Sequence, residues 1–307
     1  MISALILVLG GLIGLALGGE LLVRGAVGIA QRLGVSTLFT GLVIVGAATS
    51  MPEMVASVQA ALAGSPGIAW GNIIGSNIAN ALLILGVTAL AAPIVVSGMG
   101  RRDAVVALVI SLALWALAAS GAAARGIGIG ALGLLCAYIW WRYAHPGASI
   151  PEDEAHGHPP GWLAAGGLFV AGLAALVAGG QALVSGAIDL ARLAGVSETA
   201  IGLTVVAVGT SLPELAASLA AAVRGRAGLA LGNVVGSNIY NILLIGGVTM
   251  AIAPEPLPAS LAGAQAALMC ASAALLLVLL WRGQTIGRLA GGAMIAIFAA
   301  NIVWVFA

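Results

Sequence analysis

Residues 46–57 read GAATSMPEMVAS and residues 207–218 read AVGTSLPELAAS, so one motif occurs twice at an offset of 161 positions. The same offset aligns residues 41–90 with 202–251 without a gap, and 27 of the 50 aligned pairs are identical. Each copy of the motif carries one glutamate, directly after a proline, in a segment that is otherwise almost wholly apolar. The chain is therefore an internal duplication with one buried acid in each half.

The composition places both halves in a lipid bilayer. Of the 307 residues, 62% are hydrophobic and 7% are charged, whereas soluble domains carry roughly 25% charged residues. A chain this poor in charge cannot cover a soluble surface, which excludes a soluble enzyme, and a net charge of +1 gives no basic surface for nucleic acid. The apolar runs have helix length and lack polar alternation, which predicts spanning helices rather than a barrel.

We predict an all-α polytopic membrane protein with ten transmembrane helices, arranged as two inverted five-helix repeats. An odd number of spans in each repeat turns the second repeat over relative to the first, an arrangement typical of secondary transporters. The predicted parts are an N-terminal repeat over 1–144, a short linker over 145–161 and a C-terminal repeat over 162–307. The predicted spans are 3–30, 38–62, 68–92, 103–121, 126–144, 162–190, 199–223, 227–252, 260–281 and 287–306.

The arginines predict the orientation. All 11 basic residues are arginines; with ten spans, nine of them fall on the side of the linker and only Arg125 and Arg192 on the other. Since basic loops stay in the cytoplasm, we expect a cytoplasmic linker and both termini outside. The absence of lysine beside abundant alanine and glycine suggests a GC-rich bacterial genome, hence the bacterial inner (plasma) membrane.

Glu53 and Glu214 lie near the middle of their predicted spans, where a charged side chain costs several kcal/mol. Neither span contains a basic residue to pair with the acid. Either the acids are protonated, or a cation from outside compensates their charge. A structural alternative is that Ser/Thr-x-Pro-Glu only starts a helix, with the glutamate as a cap.

The residues around the acids offer oxygen ligands only. Pro52 and Pro213 are expected to break their helices and free carbonyls of the preceding turn, and hydroxyls of Thr49, Ser50, Thr210 and Ser211 lie beside them. An all-oxygen set suits calcium or sodium rather than zinc or copper. The two negative charges of the carboxylates are balanced by one calcium ion or, in turn, by several sodium ions. If the two kinds of ion compete for this one site, the protein can carry them in opposite directions as an antiporter.

A second motif reads GNIIGSNIAN over 71–80 and GNVVGSNIYN over 232–241. Its serine and its last asparagine are four residues apart and so share a helix face. Its first asparagine (Asn72, Asn233) either caps the helix or has another role. Its glycines predict close helix packing; they are Gly71, Gly75, Gly232 and Gly236.

Glu20 and Arg24 are four residues apart and can form an ion pair on one helix. Their equivalents in the second half, Gln181 and Ser185, are uncharged. Both a structural role and a gating role fit this pair.

The paired motifs resemble the two alpha repeats of the sodium/calcium exchanger family, prokaryotic type, within the cation/calcium antiporter superfamily. The resemblance implies sodium/calcium antiport by alternating access, no enzymatic activity, no cofactor, and calcium and sodium ions and the bilayer as partners. It also implies that the long first and sixth helices slide over the rest. The ion ligands that it implies are Glu53, Glu214, Asn80, Asn241, Thr49, Thr210, Ser50, Ser211, Ser76, Ser237 and the carbonyls of Gly46 and Ala207.

The chain departs from other branches of the superfamily in ways that narrow the function. Potassium-dependent members carry aspartate where this chain has Asn241, and proton/calcium exchangers carry a glutamate within the GN-x-x segment. These departures disfavour proton coupling and potassium dependence. The alternative function is proton/calcium antiport, antiport of another divalent cation, or potassium-dependent exchange. The linker is too short for a calcium-sensing domain, so we expect no regulatory domain there. A channel is disfavoured by the repeat, and an intramembrane hydrolase would lack a histidine or lysine base.

Overall fold

The computed structural model describes residues 1–96, 98–146, 160–195, 207–258, 261–283 and 285–306. Within these ranges the regular elements are helices, apart from one isolated bridge between Ile94 and Ile286. Eight helices are long and apolar enough to cross a membrane, and one bent helix pair makes a possible ninth. The all-α polytopic membrane fold is confirmed, whereas the count of ten and the inverted repeats stay predictions. Most of the predicted linker, 147–159, lies outside the described ranges.

The helices of the two halves correspond at the offset of 161. The first half contains α1 (Ile2–Leu33), α2 (Thr37–Thr40), α3 (Gly46–Thr49), α4 (Met51–Leu62), α5 (Pro66–Ile78), α6 (Leu85–Ala91), α7 (Arg101–Ser120) and α8 (Arg125–Ala144). The second half contains α9 (Trp162–Leu193), α10 (Ala207–Gly209), α11 (Leu212–Val223), α12 (Ala227–Tyr240), α13 (Gly246–Ile252), α14 (Ala264–Trp281) and α15 (Arg288–Phe306). In the described part of the chain, three π-helical segments lie between them, at Gly41–Val45, Ala79–Ile84 and Asn241–Ile245.

Both motif prolines stand at a helix break, as predicted. Pro52 lies in the first turn of α4 and Pro213 in the first turn of α11, where a missing N–H costs no hydrogen bond. The helical path bends by 44° between Thr37–Thr49 and Met51–Leu62. The breaks therefore place two new helix N-termini inside the bundle, one in each half.

The helices divide into a buried core and an outer layer. The path from Pro66 to Ala91 is 78% buried over its most apolar window, and so is the path from Ala227 to Ile252. The windows of α1 and α9 are only 28% buried, because much of their apolar surface faces outward to lipid. The second-motif residues thus occupy the centre of the protein.

The two longest helices pack backbone against backbone through a ladder of glycines spaced seven residues apart. A Cβ atom built on Gly11 would lie 2.5 Å from the Leu183 nitrogen, and one built on Gly18 would lie 2.7 Å from the Leu176 nitrogen. The ladder comprises Gly11, Gly18 and Gly25 on α1 and Gly172, Gly179 and Gly186 on α9, and the second set is again the first set plus 161. Residues further along α1 contact residues earlier in α9, so the two helices run antiparallel.

We expect Gly11→Val to lower the thermal unfolding midpoint of the detergent-solubilised protein, because the new side chain meets backbone atoms of α9. Overpacking of this kind typically costs about 1–3 kcal/mol. Gly10→Val is the matched control, since a Cβ on Gly10 has no described atom within 4 Å. Equal midpoints for the two variants would contradict the close approach of α1 and α9.

Candidate ion-binding site

The two motif glutamates are buried in the first turns of the broken helices. The side chains of Glu53, on α4, and Glu214, on α11, are 1% and 2% exposed. The helix N-termini direct partial positive charge towards them, and the two carboxylates are close enough to repel each other. Among the described residues neither forms an ion pair. Their negative charge is therefore left for a cation from outside the chain, or a proton, to neutralise.

Each carboxylate is approached by the helix break of the other half. The hydroxyl of Ser211 donates a hydrogen bond of 3.3 Å to Oε1 of Glu53. The side chains of Thr49 and Ser50 lie near the carboxylate of Glu214. One compact site is thus built from both copies of the first motif, which sequence spacing alone could not establish.

Among the described residues of the core, most buried side-chain oxygen atoms without a hydrogen-bond partner occur in pairs at the offset of 161. Oε2 of both glutamates is one such pair, and Oδ1 of Asn80 and Asn241 is another. Buried polar atoms are normally hydrogen-bonded, so a cluster that lacks partners is costly unless something binds it. The further unpartnered side-chain oxygens in this core belong to Ser50, Asn77, Thr88, Thr210, Ser237, Asn238 and Thr249.

The last asparagines of the second motif come to the site through the π-helical segments. Asn80 lies in Ala79–Ile84, which packs against α11, the helix of Glu214. Asn241 begins the segment Asn241–Ile245, which packs against α4, the helix of Glu53. A π turn widens a helix locally and is frequent at functional sites. No pattern in the sequence indicated these turns.

The first asparagines of the second motif are not helix caps, because each lies in the middle of its helix. Asn72 donates from Nδ2 to the Glu53 carbonyl at 3.2 Å and to the Ser57 hydroxyl at 2.9 Å. The equivalent Asn233 donates to the Glu214 carbonyl at 3.2 Å and to the Ser218 hydroxyl at 2.8 Å. These bonds fix the backbone of each glutamate. The recurrence of both serines in the first motif was the available signal, which the sequence analysis missed.

Asn233 also connects the halves. Its Oδ1 accepts a hydrogen bond of 3.1 Å from the hydroxyl of Thr49, which stands just before the break in the first half. The side chain of Thr49 is fully buried, like those of Ser50 and Ser237. The predicted hydroxyl ligands of the first break are therefore held between α3 and α12.

The glycines of the second half allow this contact. A Cβ on Gly236 would lie 2.5 Å from the Leu42 carbonyl oxygen, and one on Gly232 would lie 2.5 Å from that of Leu38, which confirms the predicted close packing there. For Gly71 and Gly75, no described atom lies within 4 Å of such a Cβ. The equivalents of Leu38 and Leu42, residues 199 and 203, lie outside the described ranges.

The remaining predicted ligands are placed as follows. Ser76 is 6% exposed on α5, and Thr210 is half-buried at the second break. The carbonyl of Gly46 accepts the Ser50 N–H at 3.2 Å, which leaves its second lone pair available. Ala207 begins α10 at the edge of the described residues, and its side chain is outside them.

A cavity of about 540 Å³ lies beside the two helix breaks, on one side of the bundle. It lies between α9, α4 and the helix break before α11, and its lining includes Pro52, Thr210 and Pro213. At the equivalent position of the other half the helices touch, since a Cβ on Gly19 of α1 would lie 2.9 Å from the Ala216 carbonyl oxygen of α11. The packing beside the helix breaks is thus more open at α9 than at α1.

This duplicated site lies within a chain that matches one family along nearly its whole length. The profile of the sodium/calcium exchanger protein family covers residues 3–144 and 164–307. The chain belongs to this family. The two matched stretches coincide with the two predicted repeats, separated by the linker.

Two relatives and a solved structure agree with this assignment over nearly the full length of each chain. The putative antiporter CaxA of Alkalimonas amylolytica is 40% identical over 92% of each chain. The sodium/calcium exchanger MaX1 of Methanosarcina acetivorans is 32% identical over 99% of each. A structure of the sodium-calcium exchanger NCX_Mj, soaked with zero Na⁺ and Ca²⁺, matches with a TM-score of 0.85 and 32% identity over 99% of each chain.

Proposed function

We propose that this exchanger moves sodium and calcium in opposite directions across the bacterial inner membrane by alternating access. The observation that carries the proposal is the set of buried oxygen atoms without described partners, most of them paired across the two halves, around Glu53 and Glu214. Such atoms gain most from a hard cation, because carboxylate, amide and hydroxyl oxygens are the ligands that calcium prefers. Family membership supports the same pair of ions.

Competition at one shared site couples the two ions. The site carries two formal negative charges, which one calcium ion neutralises and which sodium ions neutralise when bound together. With neither load bound, two like charges face each other in a medium of low dielectric, so the empty site is the costly state. Exchange is favoured over leakage because the protein reorients most readily with a neutralised site.

The proposed ligand set is the full set from the sequence. Direct carboxylate ligation by Glu53 and Glu214 is supplemented by amide oxygens of Asn80 and Asn241. The hydroxyls and carbonyls that complete the calcium and sodium sites are those of Thr49, Ser50, Ser76, Thr210, Ser211, Ser237, Gly46 and Ala207.

Alternating access rests on ten spans in two inverted five-helix repeats. The antiparallel pairing of α1 with its own equivalent α9 supports this inversion, as does the one-sided cavity. With both termini outside and the linker in the cytoplasm, the cavity opens outward, because α4 runs along it towards the extracellular side. If the two halves swapped these packings, α9 would close against α4 and α1 would open from α11. The site would then be exposed to the cytoplasm.

Reconstituted vesicles test this function directly. We expect purified protein in liposomes loaded with sodium to take up radioactive calcium when diluted into sodium-free buffer, and to stop when an ionophore dissipates the sodium gradient. Potassium or proton gradients of the same size are expected to drive no uptake. Uptake that follows the proton gradient instead would overturn sodium coupling, and uptake without any opposing gradient would indicate a channel.

A further inference from the structure

One acidic side chain outside the ion site connects α1 with α11. Glu20, on α1, forms an ion pair with Arg24 on the same helix and a second one with Arg224, the residue that ends α11. The Glu20 and Arg224 side chains are 25% and 39% exposed, so water reaches the pair only in part. The second ion pair thus connects α1 to α11, the helix that carries Glu214 in its first turn.

This ion pair exists in one half only. The residues equivalent to Glu20 and Arg224 at the offset of 161 are Gln181 and Ala63, which carry no charge. Gln181 lines the open cavity between α9 and α4, whereas Glu20 stands where α1 packs against α11. The difference in charge between the halves therefore coincides with the difference in packing.

We propose that the Glu20–Arg224 ion pair is a latch that favours the access state in which α1 is closed against α11. The inference rests on the proposed alternating access and adds to it a residue pair that sets the balance between the two states. Opening this side separates α1 from α11 and breaks the pair, while the uncharged equivalents impose no such penalty on the other side. Arg24 continues to neutralise Glu20 when the latch is open, because both lie on α1.

The expected size of the effect is modest. Partly exposed ion pairs change an equilibrium by up to about fivefold. Removing the latch is therefore expected to shift the ratio of the two states about two- to fivefold towards the opposite opening, without unfolding the protein.

Thiol labelling measures the two openings separately and needs no transport. In a background with Cys136→Ala and Cys270→Ala, the reporters are Ala56→Cys, which lines the cavity, and Ala217→Cys, its equivalent, which is 2% exposed. We expect Glu20→Gln and Arg224→Gln each to raise the labelling rate at Ala217→Cys about two- to fivefold and to lower it at Ala56→Cys. Arg24→Gln is the matched comparison and should not raise the labelling rate at Ala217→Cys, since its ion pair does not cross between helices and its loss leaves Glu20 bound to Arg224.

A transferred latch gives the converse result. Gln181→Glu combined with Ala63→Arg places the pair on the other side and is expected to lower labelling at Ala56→Cys. Unchanged rates in Glu20→Gln and Arg224→Gln, or a rise at both reporters from general loosening, would overturn the latch. The labelling rates are measured without ion flux. A failure of sodium-driven calcium uptake would therefore count against the proposed function, whereas only the labelling rates test the latch.

Discussion

Glu53→Gln and Glu214→Gln, made singly, are each expected to abolish sodium-driven calcium uptake in reconstituted vesicles. Each change keeps the shape of the side chain and removes half of the site's negative charge. Loss of one partner from a buried charge pair costs about 3–5 kcal/mol, which corresponds to a fall in calcium affinity of about two to four orders of magnitude. The measurement is initial calcium uptake together with equilibrium calcium binding to the purified protein.

Glu255→Gln is the matched control for these variants, because Glu255 is an exposed acid in the segment after α13. Its uptake should equal that of the unaltered protein. If both glutamine variants at 53 and 214 exchanged calcium normally, the assignment of the site to these carboxylates would be refuted.

Asn241→Asp is expected to change the ion dependence of exchange while leaving the fold intact. Asn241 is 1% exposed, and neither polar atom of its amide has a described partner. A third buried carboxylate there would need a further cation or a proton, because an uncompensated charge in the interior costs several kcal/mol. Calcium uptake at neutral pH should fall about tenfold or more, and lowering the pH or adding potassium should restore part of it.

The direction of this pH effect follows from the charge. Protonation of the new carboxyl group returns the site to two negative charges, so activity rises as pH falls. Asn80→Asp, at the equivalent position, should behave in the same direction. An unchanged dependence on pH and potassium in both variants would show that these asparagines lie away from the transported ions.

The duplication explains why much of the site could be predicted. A glutamate, a proline or a hydroxyl in one apolar segment has several interpretations, but its recurrence 161 residues later removes most of them. The breaks at Pro52 and Pro213 and the burial of Glu53 and Glu214 follow from local rules for helices in lipid. These features depend only on residues that are neighbours in the sequence, so one sequence is enough to predict them.

Contacts between distant segments could not be predicted in this way. Arg142 was counted with the arginines of the linker side, yet its side chain is 1% exposed and its Nε lies 2.6 Å from Oδ1 of Asp103. Tyr138 donates a hydrogen bond of 2.9 Å to the same oxygen. Such a cluster depends on how α7 and α8 are rotated against each other, which spacing does not determine. The latch between Glu20 and Arg224 was missed for the same reason.

Crystals grown in calcium and measured at a wavelength where calcium scatters anomalously test the central claim most directly. We predict an anomalous peak between Glu53 and Glu214, at about 2.3–2.6 Å from oxygen atoms of both carboxylates, the usual calcium–oxygen distance. A map with no peak there, or with an arginine side chain bound between the two carboxylates, would contradict the account.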